Sequence, residues 1–265
     1  TELDARVALK TLASFDAEAI YKLKREFRAL AGVTHPNLVR LHELVATDGV
    51  CFFTMELVEG IDILRFVRGD GPASHPESGV LRSQRRSSDP HDPQLRALCR
   101  VFAQLAEALA FLHARGVLHR DVKPSNVLVT RDERVVLLDF GISATARDIT
   151  ATDAGTIVGT PVYMAPEQAA LESLTPTADT YSLGVMLFEA LHGQPPFSGS
   201  IVKVLQDKQL REAPRLSSVR PGVPPDLDEL VAELLRLDPE SRPSAADVVR
   251  RLSARASAPP APTVD

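Results

Sequence analysis

Apolar and polar positions change their spacing several times along this chain. In "ARVALKTL" (5–12) they alternate, the period of a strand, and Lys10 sits near the end of the run. From Asp16 to Ala31 the spacing becomes helical, with Ile20, Leu23, Phe27 and Leu30 on one face and Asp16 placed to cap it. At about 100° per residue, Glu26 lies about 40° to 60° from Leu30 and Leu23, on the shoulder of that face. "NLVRLHELVATDGVCFFTMELVEG" (37–60) reads as two strands joined at Thr47 to Gly49. This first part is mostly strand with one helix.

From Gly69 to about Pro93 the periodicity dissolves into a Pro-, Ser- and Gly-rich stretch of mixed charge, which reads as a long mobile insertion. From Leu95 onward, Leu98, Phe102, Leu105, Leu109 and Leu112 define a long amphipathic helix expected to end near Gly116. A short apolar run follows at "NVLV" (126–129), then "RVVLLDFG" (134–141), then a polar Thr-rich stretch. Helical patterns recur at 179–192, 226–237 and 244–253, and the tail "ARASAPPAPTVD" (254–265) reads as a semi-rigid linker. The expected class is α+β in two lobes: residues 1–57 mostly strand, 58–253 mostly helix with the insertion at about 69–93, and 254–265 a linker.

Composition narrows the partners. With 265 residues, 44% apolar and 25% charged, the chain has enough material for one large domain or two lobes with a real core. A formal net charge of −5 and the lack of a long basic stretch argue against nucleic acid. No run of 18 apolar residues occurs, and "TELDARVALKTL" has neither a basic n-region nor a long apolar core, so neither a membrane span nor export is expected. Cys51 and Cys99 fall in a strand-like and a helix-like segment and read as small core residues of a reducing compartment, which points to the cytoplasm.

The chemistry concentrates in "HRDVKPSNVLV" (119–129), where His, Arg, Asp, Lys and Asn crowd into eight positions before the apolar run. A lysine closing a strand, or a glutamate on a helix shoulder, is by itself usually a solvated charge. Their order says more. "VALK" (7–10), the helix with Glu26, "HRDVKPSN" (119–126), "DFG" (139–141) and "APE" (165–167) follow one another as the protein-kinase signature motifs do. The chain thus resembles a eukaryotic-type (Hanks-type) Ser/Thr protein kinase catalytic domain, of bacterial character, over almost its whole length.

The resemblance implies a bilobal kinase-like fold that binds ATP with Mg²⁺ and phosphorylates Ser or Thr of proteins. Phosphoryl transfer spreads negative charge over the transferred group, so such a site needs cations and positioning. Lys10 is implied to contact the α- and β-phosphates and to pair with Glu26 when that helix is docked. Asp139 and Asn126 offer hard oxygen ligands for the metal. Asp121 is implied to accept the substrate hydroxyl proton, Lys123 to neutralise the γ-phosphate, and Thr160 to bond both. Ala8 and Leu128 are implied to sandwich the adenine, backbone groups of Glu56 and Val58 to bond its edge, Met55 to stand as gatekeeper, and Asp62 to reach the ribose. His119, Asp179 and the pair Glu167 with Arg242 take scaffold roles. Lys123 and "GTPVYMAPE" (159–167) match the Ser/Thr branch.

The family's Gly-rich loop has no counterpart: no GxGxxG occurs, and only nine residues precede Lys10. With the other motifs intact, the expectation is a kinase whose first two strands lie outside this sequence; the alternative is a pseudokinase or nucleotide-binding signalling module. Arg120 beside Asp121 implies docking of a phosphorylated activation-loop threonine, with Thr156 and Thr152 ahead of Thr150. In the insertion, Arg85 and Arg86 precede Ser87 and Ser88, a pattern many Ser/Thr kinases accept. A solvated linker explains this stretch by composition; the sharper reading is autophosphorylation in trans, which requires self-association.

Overall fold

The computed structural model describes residues 6–11, 21, 24, 27, 28, 32–47, 50–69, 92–139 and 161–257. Glu26, Thr160, Thr150, Thr152 and Thr156, the serines Ser87 and Ser88 of the insertion, and the end of the tail lie outside the described residues.

Strands β1 (Val7–Thr11), β2 (Leu41–Thr47) and β3 (Val50–Glu56) form an antiparallel sheet in the order β1-β3-β2. The strand period places Ala8 and Lys10 together on the half-buried face of β1, while Val7 and Leu9 are exposed. In this strand the apolar members of the alternation therefore mark the outer face. Tyr21, Lys24, Phe27 and Arg28 are helical, and Phe27 packs on Phe53 of β3 with ring centroids 6.4 Å apart. A second antiparallel sheet, ordered β4-β5-β6, joins β4 (Ile61–Asp62), β5 (Val127–Val129) and β6 (Val135–Leu137). The two parts are stitched together at Leu38, which bridges Leu137 in parallel: Val39 N–H donates to Leu137 O at 3.1 Å, and Leu137 N–H to Asn37 O at 2.9 Å. Buried Asn37 adds two side-chain bonds, to Gln104 and to the Val135 carbonyl.

The larger part is helical. Helix α1 (Ile63–Arg68) is capped by Asp62, whose Oδ1 accepts from Arg65 N–H, and closed by Gly69 at φ 77°. Helix α2 (Pro93–His113) starts at the Asp92 cap with proline in its first turn, and α8 (Ala245–Ala256) packs along it. Between them come α3 (Pro166–Ala169), α4 (Thr177–His192), α5 (Ile201–Leu210), α6 (Leu216–Val219) and α7 (Pro225–Leu234). Helix α4 is buried on every side from Ala178 to Leu191 and forms the axis of this half. Gly184 permits that packing: a Cβ there would lie 2.7 Å from Leu234 Cβ of α7.

Two expectations change. Helix α2 ends at His113 with Ala114 as cap, ahead of Gly116, whose φ of 70° belongs to the turn that follows. Helix α5 has no counterpart in the sequence pattern. Its apolar Ile201, Val202 and Leu210 are exposed, and the residues it buries are Val204 and Lys208, so its hydrophobicity does not report its buried face. Cys51 and Cys99 are buried and free, and burial pushes the Cys99 thiol up to about 12.

Candidate active site

The segment between α2 and β5 is held from beneath by one carboxylate. Asp179, in the first turn of α4, accepts from His119 N–H and Arg120 N–H at 2.8 Å each and from His113 Nε2 at 2.8 Å. These bonds fix Arg120 at φ 67°, a left-handed conformation that side chains rarely adopt. His119 is fully buried. Its Nε2 donates to Leu138 O at 2.7 Å and its Nδ1 accepts from Asp121 N–H at 3.3 Å, so the imidazole ties the 119–121 turn to the residue before Asp139. Burial alone would raise the Asp179 carboxyl, but the hydrogen bonds from His113 and from the His119 N–H hold it below its ordinary range.

On that base the reactive groups converge. Asp121 Oδ2 meets Lys123 Nζ at 2.7 Å and accepts from Asn126 Nδ2 at 2.9 Å, and the same Nδ2 donates to Asp121 O at 2.8 Å. The Asp121 side chain stays 44% exposed, open to a molecule arriving from solvent, while Asn126 is buried. A 2.8 Å bond from Leu138 N–H to Asn126 O brings Asp139 alongside. Asp139 has φ 50°, its Oδ2 pairs with Lys10 Nζ at 2.8 Å, and its Oδ1 is buried with no hydrogen-bond partner among the described residues. Lys10 thus meets Asp139 across the two parts of the molecule; Glu26, its expected partner, lies outside the described residues, as does Thr160.

The other nucleotide-contact candidates border this cluster. Ala8 stands opposite Met55 in the β1/β3 register, and Leu128 lies between Asp62 and Val136 in the second sheet. Glu56 turns its carboxylate to Arg134 Nη2 at 2.5 Å while its N–H donates to Arg40 O at 2.8 Å. Val58 is half-buried in the link that follows, and Gly60 presses so close to β5 that a Cβ would lie 2.7 Å from Val129 O. Asp62 gives one carboxylate oxygen to the α1 cap, which leaves the other available.

Around the cluster stand residues of two kinds. Glu167 and Arg242 form the expected buried pair: two bonds of 2.7 and 2.9 Å, with Arg242 also donating to the carbonyls of Arg236, Leu237 and Thr177 and lying 4.8 Å from the Tyr181 ring centroid. Sequence reasoning missed the others. Tyr163 donates to Glu189 Oε2 at 2.7 Å, and Arg68 at the end of α1 meets Glu189 Oε1 at 2.7 Å. A lone acid inside the apolar run "SLGVMLFEAL" was a signal that could have found Glu189. Burial, together with the bond to that acid, raises the Tyr163 hydroxyl far above its ordinary range. Gln168 Nε2 donates to Arg120 O at 2.8 Å, tying α3 to the segment that carries Asp121. Lys208 is buried beneath the 161–164 turn, and no sequence signal marks it.

The donor set suits a hard cation that takes most of its ligands from phosphate and water. No cluster of three or more His, Cys, Asp and Glu occurs among the described residues, but the orphaned Asp139 Oδ1 is a buried anionic donor without a proton to accept. Asn126 uses its nitrogen on Asp121, which leaves its amide oxygen as the second donor.

Comparison with known proteins gives one consistent result. The profile of the family described as "Protein kinase domain" matches residues 2–252. The chain is 36% identical over 244 residues to the serine/threonine-protein kinase PknH of Mycobacterium tuberculosis, covering 91% of this chain and 36% of that protein. It is 35% identical over 251 residues to the serine/threonine-protein kinase PkaA of Streptomyces coelicolor, covering 93% and 42%. The crystal structure of the Mycobacterium tuberculosis PknI kinase domain superposes with a TM-score of 0.68 at 26% identity, over 96% of this chain and 87% of that one. The chain spans less than half the length of the curated relatives it matches.

Proposed function

We propose a reaction for this chain, which belongs to the protein kinase family and groups there with bacterial serine/threonine kinases: the protein that contains it transfers the γ-phosphate of Mg·ATP to Ser or Thr hydroxyls of protein substrates. One observation carries the reading. Asp121, accessible and held by Lys123 and Asn126, is linked through the Leu138 N–H to Asn126 O bond to the segment carrying Asp139, whose carboxylate Lys10 neutralises on one oxygen and which keeps the other buried and unpartnered among the described residues. The intact set Lys10, Asp121, Asn126 and Asp139 supports transfer over the alternative of nucleotide binding without chemistry.

The roles are those the family resemblance implies, and the geometry supports the ones at Asp121, Lys123, Asn126, Asp139 and Lys10. Asp121 orients the incoming hydroxyl and takes its proton, while Lys123, already bonded to Asp121, places positive charge beside the oxygens that develop charge in the transition state. Lys10 reaches phosphate oxygens from β1, and Asp139 and Asn126 supply the metal ligands. Bound there, a divalent ion supplies charge neutralisation across the phosphates, and the all-oxygen donor pair favours Mg²⁺. Ala8, Met55, Val58 and Leu128 shape the adenine wall, the backbone of Glu56 and Val58 bonds its edge, and Asp62 reaches the ribose. Glu26 and Thr160 keep the roles the family resemblance gives them. The exposed Arg120 supports regulation by a phosphorylated threonine of the 143–160 segment.

The two buried free cysteines support a cytoplasmic setting for the domain; no helix among the described residues is long and apolar enough to cross a membrane. Self-association for phosphorylation in trans rests on the Arg-Arg-Ser-Ser sequence of the insertion.

Full-length protein incubated with γ-labelled Mg·ATP and a Ser/Thr substrate mixture should transfer label to hydroxyls. Asp121→Asn should lower turnover by about 10² or more with nucleotide affinity nearly unchanged, since an orienting base acts on the transition state. Near-normal turnover in that variant would refute the role of Asp121.

A further inference from the structure

Lys208 projects from α5 into the protein and is 0% exposed. Lysine ordinarily keeps its head group in water, and a buried ammonium requires partners. Among the described residues no carboxylate pairs with it. Its Nζ donates to Val162 O and, at 2.7 Å, to Met164 O, and it lies 5.3 Å from the Tyr181 ring centroid. Burial brings its pKa down to about 7, against which the two carbonyl dipoles and the ring face favour the charged form.

Both carbonyls belong to one turn, because Met164 N–H donates back to Pro161 O at 3.3 Å. A single amine therefore holds the second and fourth positions of a four-residue turn. Between them, Tyr163 is anchored separately through its hydroxyl to Glu189. Val162, Tyr163 and Met164 are each half-buried, so the turn keeps some accessible surface. The turn starts immediately after Thr160 and ends two residues before α3, whose Gln168 grips the Arg120 carbonyl beside Asp121. Through Gln168 the segment that carries this turn is tied to the residue beside Asp121. None of the bonds Lys208 makes reaches a residue assigned to the nucleotide.

We propose that Lys208 is a positioning residue for the protein substrate: by clamping the carbonyls of Val162 and Met164 it shapes the 161–164 turn into the seat for residues flanking the phosphoacceptor. This rests on the kinase reading of the site. The clamp acts on substrate recognition and leaves ATP binding untouched.

Lys208→Met in the full-length protein keeps an unbranched apolar stem out to the ε position and removes every donor. For a protein substrate, kcat/KM should fall about tenfold, chiefly through KM, with KM for ATP within about twofold. Hydrogen exchange at the amides of 162–165 should speed up about tenfold while 119–126 is unaltered. Lys208→Gln keeps an NH₂ donor on a stem one atom shorter and should recover part of both effects. An unchanged substrate KM with unchanged exchange overturns the proposal. So does an equal loss for ATP and substrate, or faster exchange spread across the whole helical half, which would mark a merely structural lysine. If the wild-type protein transfers no phosphate, the proposed function fails, but the exchange measurement still judges the clamp: faster exchange confined to 162–165 supports it, and no change refutes it.

Discussion

Asp179 shows how one buried carboxylate shapes a site it never enters. Its three acceptor bonds hold Arg120 at positive φ and so aim Asp121. Asp179→Asn turns an NH₂ group toward a buried N–H and should cost about 1–3 kcal/mol at neutral pH, read from urea unfolding. The pH dependence has a definite sign. A carboxyl held below its ordinary value of 3.8 in the folded state contributes stability that is complete above that value and is lost as pH falls through the folded pKa. The gap in urea midpoint between wild type and Asp179→Asn should therefore narrow as pH falls below 3.8; a gap that widens in acid would contradict the ionised assignment.

Helix α4 is the element on which the larger half turns, and its tolerance is set at Gly184. Alanine in a helix interior gains about 0.5–1 kcal/mol over glycine. At this position the added methyl would lie 2.7 Å from Leu234 Cβ, so α4 and α7 must separate, and overpacking of that kind costs about 1–3 kcal/mol. The packing cost should win: Gly184→Ala should lower the thermal midpoint, and a raised midpoint would show that α7 yields freely. Helix α5 teaches the opposite lesson. Its exposed Ile201, Val202 and Leu210 and its buried Lys208 reverse the usual reading of an amphipathic helix, because a polar group is buried wherever it finds its bonds.

At the scale of the whole molecule, the Glu167–Arg242 pair locks α3 to the loop before α8. Arg242→Met leaves a carboxylate buried without its partner and should destabilise by about 3–5 kcal/mol in urea unfolding. Adding Glu167→Leu should recover part of that loss, but the Arg236 and Leu237 carbonyls would lose the bonds Arg242 gives them, while Thr177 O keeps its bond from Thr180 Oγ1; full recovery would show that these bonds add nothing. The period of apolar residues and the order of the motifs determined the two-part α+β class, the strands at 41–56, the long helix after 92, and the adjacency of Asp121, Lys123 and Asn126, because each depends on neighbours within a few positions. The tertiary structure alone decided that Lys10 meets Asp139, that Tyr163 and Arg68 share Glu189, and that Lys208 clamps a turn 46 residues away. Periodicity tells which face of an element is apolar; the partner of a buried polar group is set by which distant segment the packed fold brings within hydrogen-bond reach.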